Sequence, residues 1–134
     1  MKIAIVGCRD FSSSKIDREM RDKVWHFVEQ LAERAPDTVI ISGGARGVDS
    51  WGEGAARFYG LKFEGYPADW NLYGKSAGFR RNAQIVAAAD VVVAFWDGDS
   101  RGTAHTVGLA KDAEKKLKII SPGSVPMIQG DQEE

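Results

Sequence analysis

The chain has 134 residues, of which 43% are hydrophobic, a composition that excludes a wholly disordered protein and fits one packed domain. Lys and Arg together number 18 and Asp and Glu 19, so the net charge of −1 provides no overall attraction to nucleic acids or membranes. Cys8 is the only cysteine and the two histidines lack metal-ligand spacing, so we expect no disulfide and no bound metal. Because the sequence contains no membrane-length apolar run and no signal-peptide pattern, we expect a soluble cytoplasmic protein.

The first half of the chain predicts strands and helices in alternation. In chain order the predicted elements are a buried strand at Lys2–Val6, a helix that follows a cap at Ser13 or Ser14 and ends before Pro36, a strand at Thr38–Ile41 and a helix at Val48–Tyr59 that stops at Gly60. The strands are short apolar runs, whereas the first helix repeats apolar residues every three or four positions, from Ile16 to Leu31. A Gly-rich loop, Ser42–Gly47, connects the second strand to the second helix.

The second half continues the same alternation. The predicted elements are a strand at Leu61–Tyr66, a loop at Pro67–Ser76, a helix at Ala77–Ala89, a strand at Val91–Phe95, a helix at Gly102–Lys116 and a strand at Leu117–Ile120. This order predicts a doubly wound α/β fold with a mostly parallel five-stranded sheet flanked by about four helices. We therefore expect a single domain over residues 1–121, followed by a flexible C-terminal tail at 122–134, where hydrophobic residues are sparse.

Polar and glycine-rich segments follow the predicted strands at the edge where ligands bind in open α/β sheets, beyond the carboxyl ends of the strands. Five arginines fall on or near this edge, namely Arg9, Arg46, Arg80, Arg81 and Arg101. One edge of the protein is therefore expected to be cationic, although the whole chain is not.

Two of these segments place glycines directly before a helix. Gly43, Gly44 and Gly47 precede the second helix, and Gly98 and Gly102, with Thr103, precede the last one. Backbone N–H groups at such helix starts bind anions, so two neighbouring loops of this kind fit a phosphate or diphosphate. The alternative is that the glycines serve only to form tight βα turns.

Two familiar nucleotide fingerprints are missing. Gly74–Ser76 has the ending of an ATP-binding P-loop, but Asp69 stands where that motif requires its first glycine. No G-x-G-x-x-G pattern follows the first strand either. We therefore expect neither ATP hydrolysis by a P-loop nor NAD-dependent redox chemistry, and no cofactor.

A resemblance to known proteins is carried by several short motifs. Ser42–Asp49 resembles the phosphate loop of DNA-processing protein A (DprA). The remaining motifs resemble the YspA, YpsA-related branch of the SLOG superfamily and are Pro67–Trp70, Ala77–Gly78, Arg81–Asn82, Asp90, Phe95–Gly98 and Gly102–Thr103. This superfamily joins the DprA and LOG (lonely guy) proteins. The resemblance covers about residues 2–121 and implies a Rossmann-like fold that binds nucleotides or nucleotide-derived ligands.

The similarity to LOG enzymes, which release the base from a nucleoside monophosphate, is incomplete. Their Arg-Lys pair falls on Arg81 and Asn82, and their catalytic glutamate falls on Thr106, which cannot act as a general base near neutral pH. The catalytic residue is therefore unknown, with Arg81, Asp97 and His105 as candidates and Asp49 as a further possible substitute for the glutamate.

Individual residues each have a functional and a structural interpretation. Arg81 with Asn82 is expected to hold a phosphate or ribose, the alternative being a local pair on the helix. Trp70 either stacks on a base or anchors its own loop, and Trp96 either lines the pocket or fills the core. Asp97 and Asp69 either accept a hydrogen bond from a ribose hydroxyl or end a strand and cap a helix. The complete predicted ligand-binding set is Gly7, Arg9, Ser42, Gly43, Gly44, Arg46, Gly47, Asp49, Trp70, Arg81, Asn82, Trp96, Asp97, Gly98, Gly102 and Thr103.

The sequence thus favours a small nucleotide-binding domain that senses, sequesters or carries a small-molecule ligand such as an ADP-ribose-like molecule or a cyclic nucleotide. A LOG-like or NAD-derived N-glycoside hydrolase is the second interpretation, and DprA-like binding of single-stranded DNA ranks third because no basic stripe is present. By resemblance we also expect a homo-oligomer, a dimer or higher, assembled through small residues on helix faces. These residues are Ala55, Ala56, Ala87 and Ala88.

Overall fold

Five parallel strands form one sheet in the computed structural model, which describes residues 1–123. In chain order the elements are β1 (Lys2–Gly7), α1 (Ser14–Arg34), β2 (Val39–Ser42), α2 (Val48–Phe58), β3 (Lys62–Gly65), α3 (Trp70–Tyr73), α4 (Ala77–Ala88), β4 (Val91–Phe95), α5 (Arg101–Asp112) and β5 (Lys116–Ile120). The predicted α/β class is confirmed, and every strand pairing among these residues is parallel rather than mostly parallel. Most of the predicted tail, from residue 124 onward, lies outside the described residues. None of the helices between residues 1 and 123 has the length and hydrophobicity of a membrane-spanning segment.

The strand order β3-β2-β1-β4-β5 places the chain reversal between β1 and β4. From β1 the chain runs outward through β2 to β3, then crosses back to β4 and continues to β5. Ligands of open α/β sheets bind in the crevice at such a switch point, outside the carboxyl ends of the strands. Gly7 pairs with Phe95 in this register and marks the carboxyl end of the β1–β4 pair.

Alternate residues of the central strands enter two separate hydrophobic layers. Ile5 of β1 and Val93 of β4 pack with α1 and α2, whereas Val6 and Val92 pack with α4 and α5. Strands that are buried on both faces read as continuous apolar runs, and this explains why β1 and β4 are so evident in the sequence. Packing against both layers fixes the carboxyl ends of β1 and β4, and it therefore also fixes where the loops after these strands begin.

The predicted oligomer face on α2 is not available. Ala55 and Ala56 are fully buried, because the apolar side of α2 packs against the sheet. Ala87 is exposed and Ala88 half-buried on α4. The expectation that all four small residues contribute to a contact between copies is therefore wrong for the two on α2.

The predicted loop at Pro67–Ser76 and the predicted end of the last helix both differ from the structure, and local capping hydrogen bonds explain both differences. The predicted loop at Pro67–Ser76 contains α3 and a 3₁₀ turn, since the Asp69 carboxylate accepts a hydrogen bond from the Leu72 amide (3.0 Å). Helix α5 ends at Asp112 rather than Lys116. Glu114 adopts a φ of 55°, and its amide bonds back to the carbonyl of Lys111, which terminates the helix.

The cap of α1 provides a test of local stability. Ser13 is the N-cap, and its Oγ accepts a hydrogen bond from the Ile16 amide at 3.2 Å. We expect Ser13→Ala to lower the free energy of unfolding by about 1 kcal/mol in urea denaturation. The neighbouring Ser14→Ala, inside the helix, serves as the control and is expected to change it by less than about 0.5 kcal/mol. Equal losses in the two variants would contradict the assignment of Ser13 as the cap.

Candidate functional site

Two adjoining cavities lie at the carboxyl ends of the strands. The switch-point cavity, about 390 Å³, lies between the loop after β1 and the starts of α2 and α5, and its walls include Gly7, Asp49, Gly102 and Thr103. The glycine-loop cavity, about 340 Å³, lies over the loop after β2, and its walls include Gly43, Gly44, Arg46 and Trp70. Arg9, Ala45 and Arg81 line both cavities. The two predicted glycine loops therefore open onto one continuous region of the surface.

Arg81, on α4, forms the wall between the two cavities. Its Nη1 donates to the Gly43 carbonyl oxygen (2.8 Å), and its Nε donates to Asn82 Oδ1 (3.0 Å). A Cβ atom at Gly43 would lie 2.5 Å from Arg81 Nη1, so a glycine is required for this approach. The loop after β2 and the side chain of Asn82 together hold the guanidinium where it faces both cavities.

Asn82 links Arg81 to the last helix. Its Nδ2 lies 3.3 Å from His105 Nδ1, and the His105 ring packs on Phe79 at 4.4 Å between ring centroids. Asn82 lines the switch-point cavity. The candidate catalytic residue His105 lies behind Asn82, outside the walls of the two cavities as far as residues 1–123 define them.

Asp49 is a buried carboxylate on the wall of the switch-point cavity. It is 7% exposed, and its Oδ2 accepts a hydrogen bond from the Ala45 amide at 3.2 Å. Burial raises the pKa of this carboxyl group to about 6, although the Ala45 amide and the charge of Arg81 favour its ionised form. The position of Asp49 in the first turn of α2 brings it there.

The other arginines divide into two groups. Arg46 pairs with Asp10 at 2.6 Å, and this hydrogen bond raises the pKa of Arg46 and lowers that of Asp10. Arg9 and Arg46 reach the cavities. Arg80, by contrast, bonds to Ser76 Oγ and lies over the Tyr73 ring, 4.3 Å from its centroid.

Several predicted site residues shape the loops instead of lining a cavity. Ser42 is buried and donates to the Ile5 carbonyl oxygen. Trp96 donates from its indole nitrogen to the Ser100 carbonyl oxygen, and Asp97 Oδ1 accepts from the amides of Asp99 and Ser100. Gly98 has a φ of 91° in the same turn. This turn positions Ser100, which does line the switch-point cavity.

The structure also adds residues that sequence analysis did not include in the ligand-binding set. These cavity residues are Val6, Cys8, Asp10, Ala45, Ile85, Ser100 and Thr106 in the switch-point cavity, with Pro67 and Ala68 in the glycine-loop cavity. Thr106 follows Thr103 by three positions, so helical spacing places both on one face of α5. The pKa of the Cys8 thiol is raised to about 11 by burial, so Cys8 is not an activated nucleophile.

The glycines of the site separate into structural and open positions. Gly47 has a φ of 79°, and a Cβ there would lie 2.4 Å from the Arg9 carbonyl oxygen, whereas a Cβ at Gly102 meets nothing within 4 Å. We expect Gly47→Ala to lower the free energy of unfolding by about 3 kcal/mol or more and Gly102→Ala to change it by less than about 1 kcal/mol. Urea denaturation measures both. A Gly47→Ala variant as stable as the parent would contradict the close contact between α2 and the loop after β1.

Solved structures share this architecture. The structural-genomics protein TM1055 superimposes with a TM-score of 0.68 at 23% identity, covering 87% of this chain and 71% of that one. DNA processing protein A from Streptococcus pneumoniae gives a TM-score of 0.66 at 19% identity over 97% of this chain and 52% of that one. The Helicobacter pylori protein, described in connection with single-stranded DNA binding, gives 0.63 at 21% identity over 99% and 68%. At these identities the similarity establishes the fold.

A curated relative and a matching family model relate the sequence to known proteins. The Gene 61 protein of Mycobacterium phage D29 is 36% identical over 115 residues, which cover 79% of this chain and 89% of that protein. The model of the YspA, cpYpsA-related SLOG family matches residues 1–73, from β1 through the glycine loop to the end of α3. The matched region is more than half of the 134 residues. The chain therefore belongs to the YspA, cpYpsA-related SLOG family.

Proposed function

We propose that this protein binds a nucleotide or nucleotide-derived ligand in the two adjoining cavities, as a sensor, sequestering or carrier domain. The observation that carries the proposal is the position of Arg81, whose guanidinium is held between a glycine loop and a helix start. A guanidinium in this position can hold a phosphate with two parallel hydrogen bonds. Membership of the SLOG family supports the same ligand class.

The start of α5 supports phosphate binding next to Arg81. Its N-cap residue, Ser100, makes no side-chain capping hydrogen bond, and Gly102 and Thr103 in the first turn line the switch-point cavity. The amides of a first helical turn have no partner within the helix and attract anions. Arg81 and the amides of Gly102 and Thr103 thus provide complementary donors for one phosphate group.

Isothermal titration calorimetry with AMP, ADP, ADP-ribose, NAD and cyclic nucleotides tests the proposal. We expect at least one of these ligands to bind with a dissociation constant below about 100 μM, corresponding to roughly 5.5 kcal/mol of binding free energy. Inorganic phosphate at the same concentration is the reference for a nonspecific anion effect. The absence of binding by every nucleotide of the panel would refute the proposed function.

Trp70 provides a separate prediction for the base. Its side chain is 54% exposed and lines the glycine-loop cavity, so a stacked base would cover it. Stacking contributes about 1–3 kcal/mol, and we therefore expect Trp70→Ala to weaken nucleotide binding about tenfold in calorimetry. Leu72→Ala, which removes a 67%-exposed apolar side chain from the same short helix, is the control and is expected to leave affinity unchanged. Full affinity in the Trp70 variant would place the base elsewhere.

Hydrolysis of an N-glycosidic bond is the second candidate function. The observation in its favour is Asp49, a cavity carboxyl group with a pKa of about 6, the range suited to proton transfer near neutral pH. The position that corresponds to the LOG glutamate is occupied by Thr106, whose hydroxyl donates to the Gly102 carbonyl oxygen. Chromatography of AMP and NAD incubated with the protein distinguishes the two functions, since binding alone releases no free base.

A further inference from the structure

Few carboxylates around the two cavities are placed to accept a hydrogen bond from a sugar hydroxyl. Asp97 is bonded within its own turn, and Asp69 caps α3. Asp10 reaches the switch-point cavity but is exposed and paired with Arg46. Among the acidic residues of the described chain that line the cavities, Asp49 is the one that is buried. A hydrogen bond made by a buried carboxylate discriminates more sharply than one made at the exposed rim.

The two cavities differ in the charge of the side chains that line them. The cationic residues Arg9 and Arg81 lie on the wall shared with the glycine-loop cavity, where Arg46 adds a third positive charge. Besides these arginines, the switch-point cavity presents Asp49, Asp10, which is paired with Arg46, and neutral polar groups from Asn82, Ser100, Thr103 and Thr106. In a nucleotide the sugar lies between the base and the phosphate. The sugar is therefore best placed beside Asp49 and Ala45, with the base at Trp70 on one side and the phosphate at Arg81 and the first turn of α5 on the other.

We propose that the switch-point cavity takes the sugar of the ligand and that Asp49 accepts a hydrogen bond from one of its hydroxyl groups, so that the site selects ribonucleotides over deoxyribonucleotides. The inference rests on the proposed nucleotide-binding function and adds the residue that reads the sugar. The Ala45 amide bonds to Oδ2, and the Gly43 amide and the Ser42 hydroxyl also favour the ionised carboxylate. These partners occupy at most three of the about four acceptor positions of a carboxylate and leave one for a ligand hydroxyl. Burial of Asp49 excludes the water that would otherwise replace that hydroxyl.

The physical consequence is a penalty for a ligand that lacks the hydroxyl. A deoxy ligand leaves the buried carboxylate of Asp49 without the hydrogen-bond donor that the ribonucleotide supplies, which costs binding free energy. Asp49→Asn removes the buried charge, so the same missing donor costs less in the variant. The preference for the ribonucleotide is therefore expected to be large in the parent protein and small in the variant. Loss of a phosphate contact would weaken all ligands equally and leave the preference intact.

Calorimetry at pH 8 with AMP, 2′-deoxy-AMP and 3′-deoxy-AMP tests the inference on the parent, Asp49→Asn and Asp112→Asn. Asp112 is an exposed carboxylate at the other end of α5 and provides the matched control. We expect the parent and the control to bind AMP at least tenfold more tightly than one deoxy analogue, and Asp49→Asn to reduce that ratio to threefold or less. Circular dichroism confirms that each variant is folded.

Three results would overturn the inference. Equal affinity for the three ligands in the parent, or the same preference in Asp49→Asn as in the parent, would show that Asp49 does not read the sugar while leaving nucleotide binding intact. If AMP does not bind but another nucleotide of the panel does, the same comparison is made with that nucleotide and its deoxy analogues, and the same results overturn the inference. Failure of every nucleotide to bind would refute the proposed function as well.

Discussion

Arg81→Ala is expected to weaken nucleotide binding about 100-fold, a loss of about 3 kcal/mol, in isothermal titration calorimetry. The guanidinium is half-buried and held by Gly43 and Asn82, so it is already oriented before the ligand arrives. A preorganised, charge-assisted pair to phosphate contributes more than a flexible surface contact, because little side-chain entropy is lost on binding. Arg81→Lys keeps the positive charge but lacks the planar guanidinium group. Its nucleotide affinity is therefore expected to lie between those of the parent and Arg81→Ala.

The adjacent Arg80 provides the control for this prediction. It lies one position earlier on α4, but its guanidinium contacts Ser76 and the Tyr73 ring instead of the cavities. Arg80→Ala removes the same charge from the protein and is expected to change affinity by less than about threefold. If Arg80→Ala and Arg81→Ala weaken binding equally, affinity depends on overall charge and the assignment of Arg81 to the site is wrong.

Asp49→Asn is expected to stabilise the protein at pH 8 by about 2–3 kcal/mol and to have little effect on stability at pH 4. The pKa of Asp49 is about 6 in the folded protein, compared with its ordinary value of 3.8. The folded protein therefore binds the proton more tightly than the unfolded chain, and the stabilisation that protonation provides is lost as the pH rises from about 4 to above 6. The asparagine variant has no charge to bury and avoids that loss.

Urea denaturation of the parent and the variant at pH 4 and pH 8 measures this difference. Asp112→Asn, an exposed carboxylate, is the control and is expected to show no pH-dependent difference from the parent. A variant that is less stable than the parent at pH 8 would show that contacts from Ala45 and Arg81 outweigh the cost of burying the charge. A gain in stability together with a loss of sugar selectivity is the pattern expected of a functional carboxylate.

Most of the fold follows from local patterns in the sequence. Strands such as β1 and β4 are buried on both faces, so they read as continuous apolar runs, and α1 carries a helical repeat with its cap at Ser13. Helix α3 cannot be predicted from local patterns, because its four residues form a single turn without hydrophobic periodicity. Its N-cap, Asp69, is not distinguishable in the sequence from an aspartate in a loop. Helix α5 is shorter than its sequence pattern predicts, because Glu114, a non-glycine residue with a positive φ, follows its end.

The candidate site was less predictable than the fold. The glycine loops were evident because glycines and an arginine next to a helix start fit an anion site, and Arg81 was evident because an adjacent Arg and Asn can together hold a phosphate or ribose. Asp49 lies in the first turn of α2 and Asp97 lies two residues after β4, and neither local setting shows whether the carboxylate is buried beside a cavity. Asp49 is buried because Gly47 allows α2 to approach the loop after β1, whereas Asp97 bonds within its own turn. These outcomes depend on tertiary packing.

Amide NMR of the ¹⁵N-labelled protein, titrated with ADP-ribose and AMP, tests the location of the site most directly. We expect the largest shifts at Gly43, Gly44, Gly102 and Thr103 and at the Arg81 side-chain Nε–H signal. An apolar groove of about 900 Å³ lies at the opposite end of the sheet, between the end of α1 and the starts of β4 and β5, and includes Phe27 and Leu117. Shifts that cluster around that groove, or no saturable shifts with either ligand, would contradict a nucleotide site at the carboxyl ends of the strands.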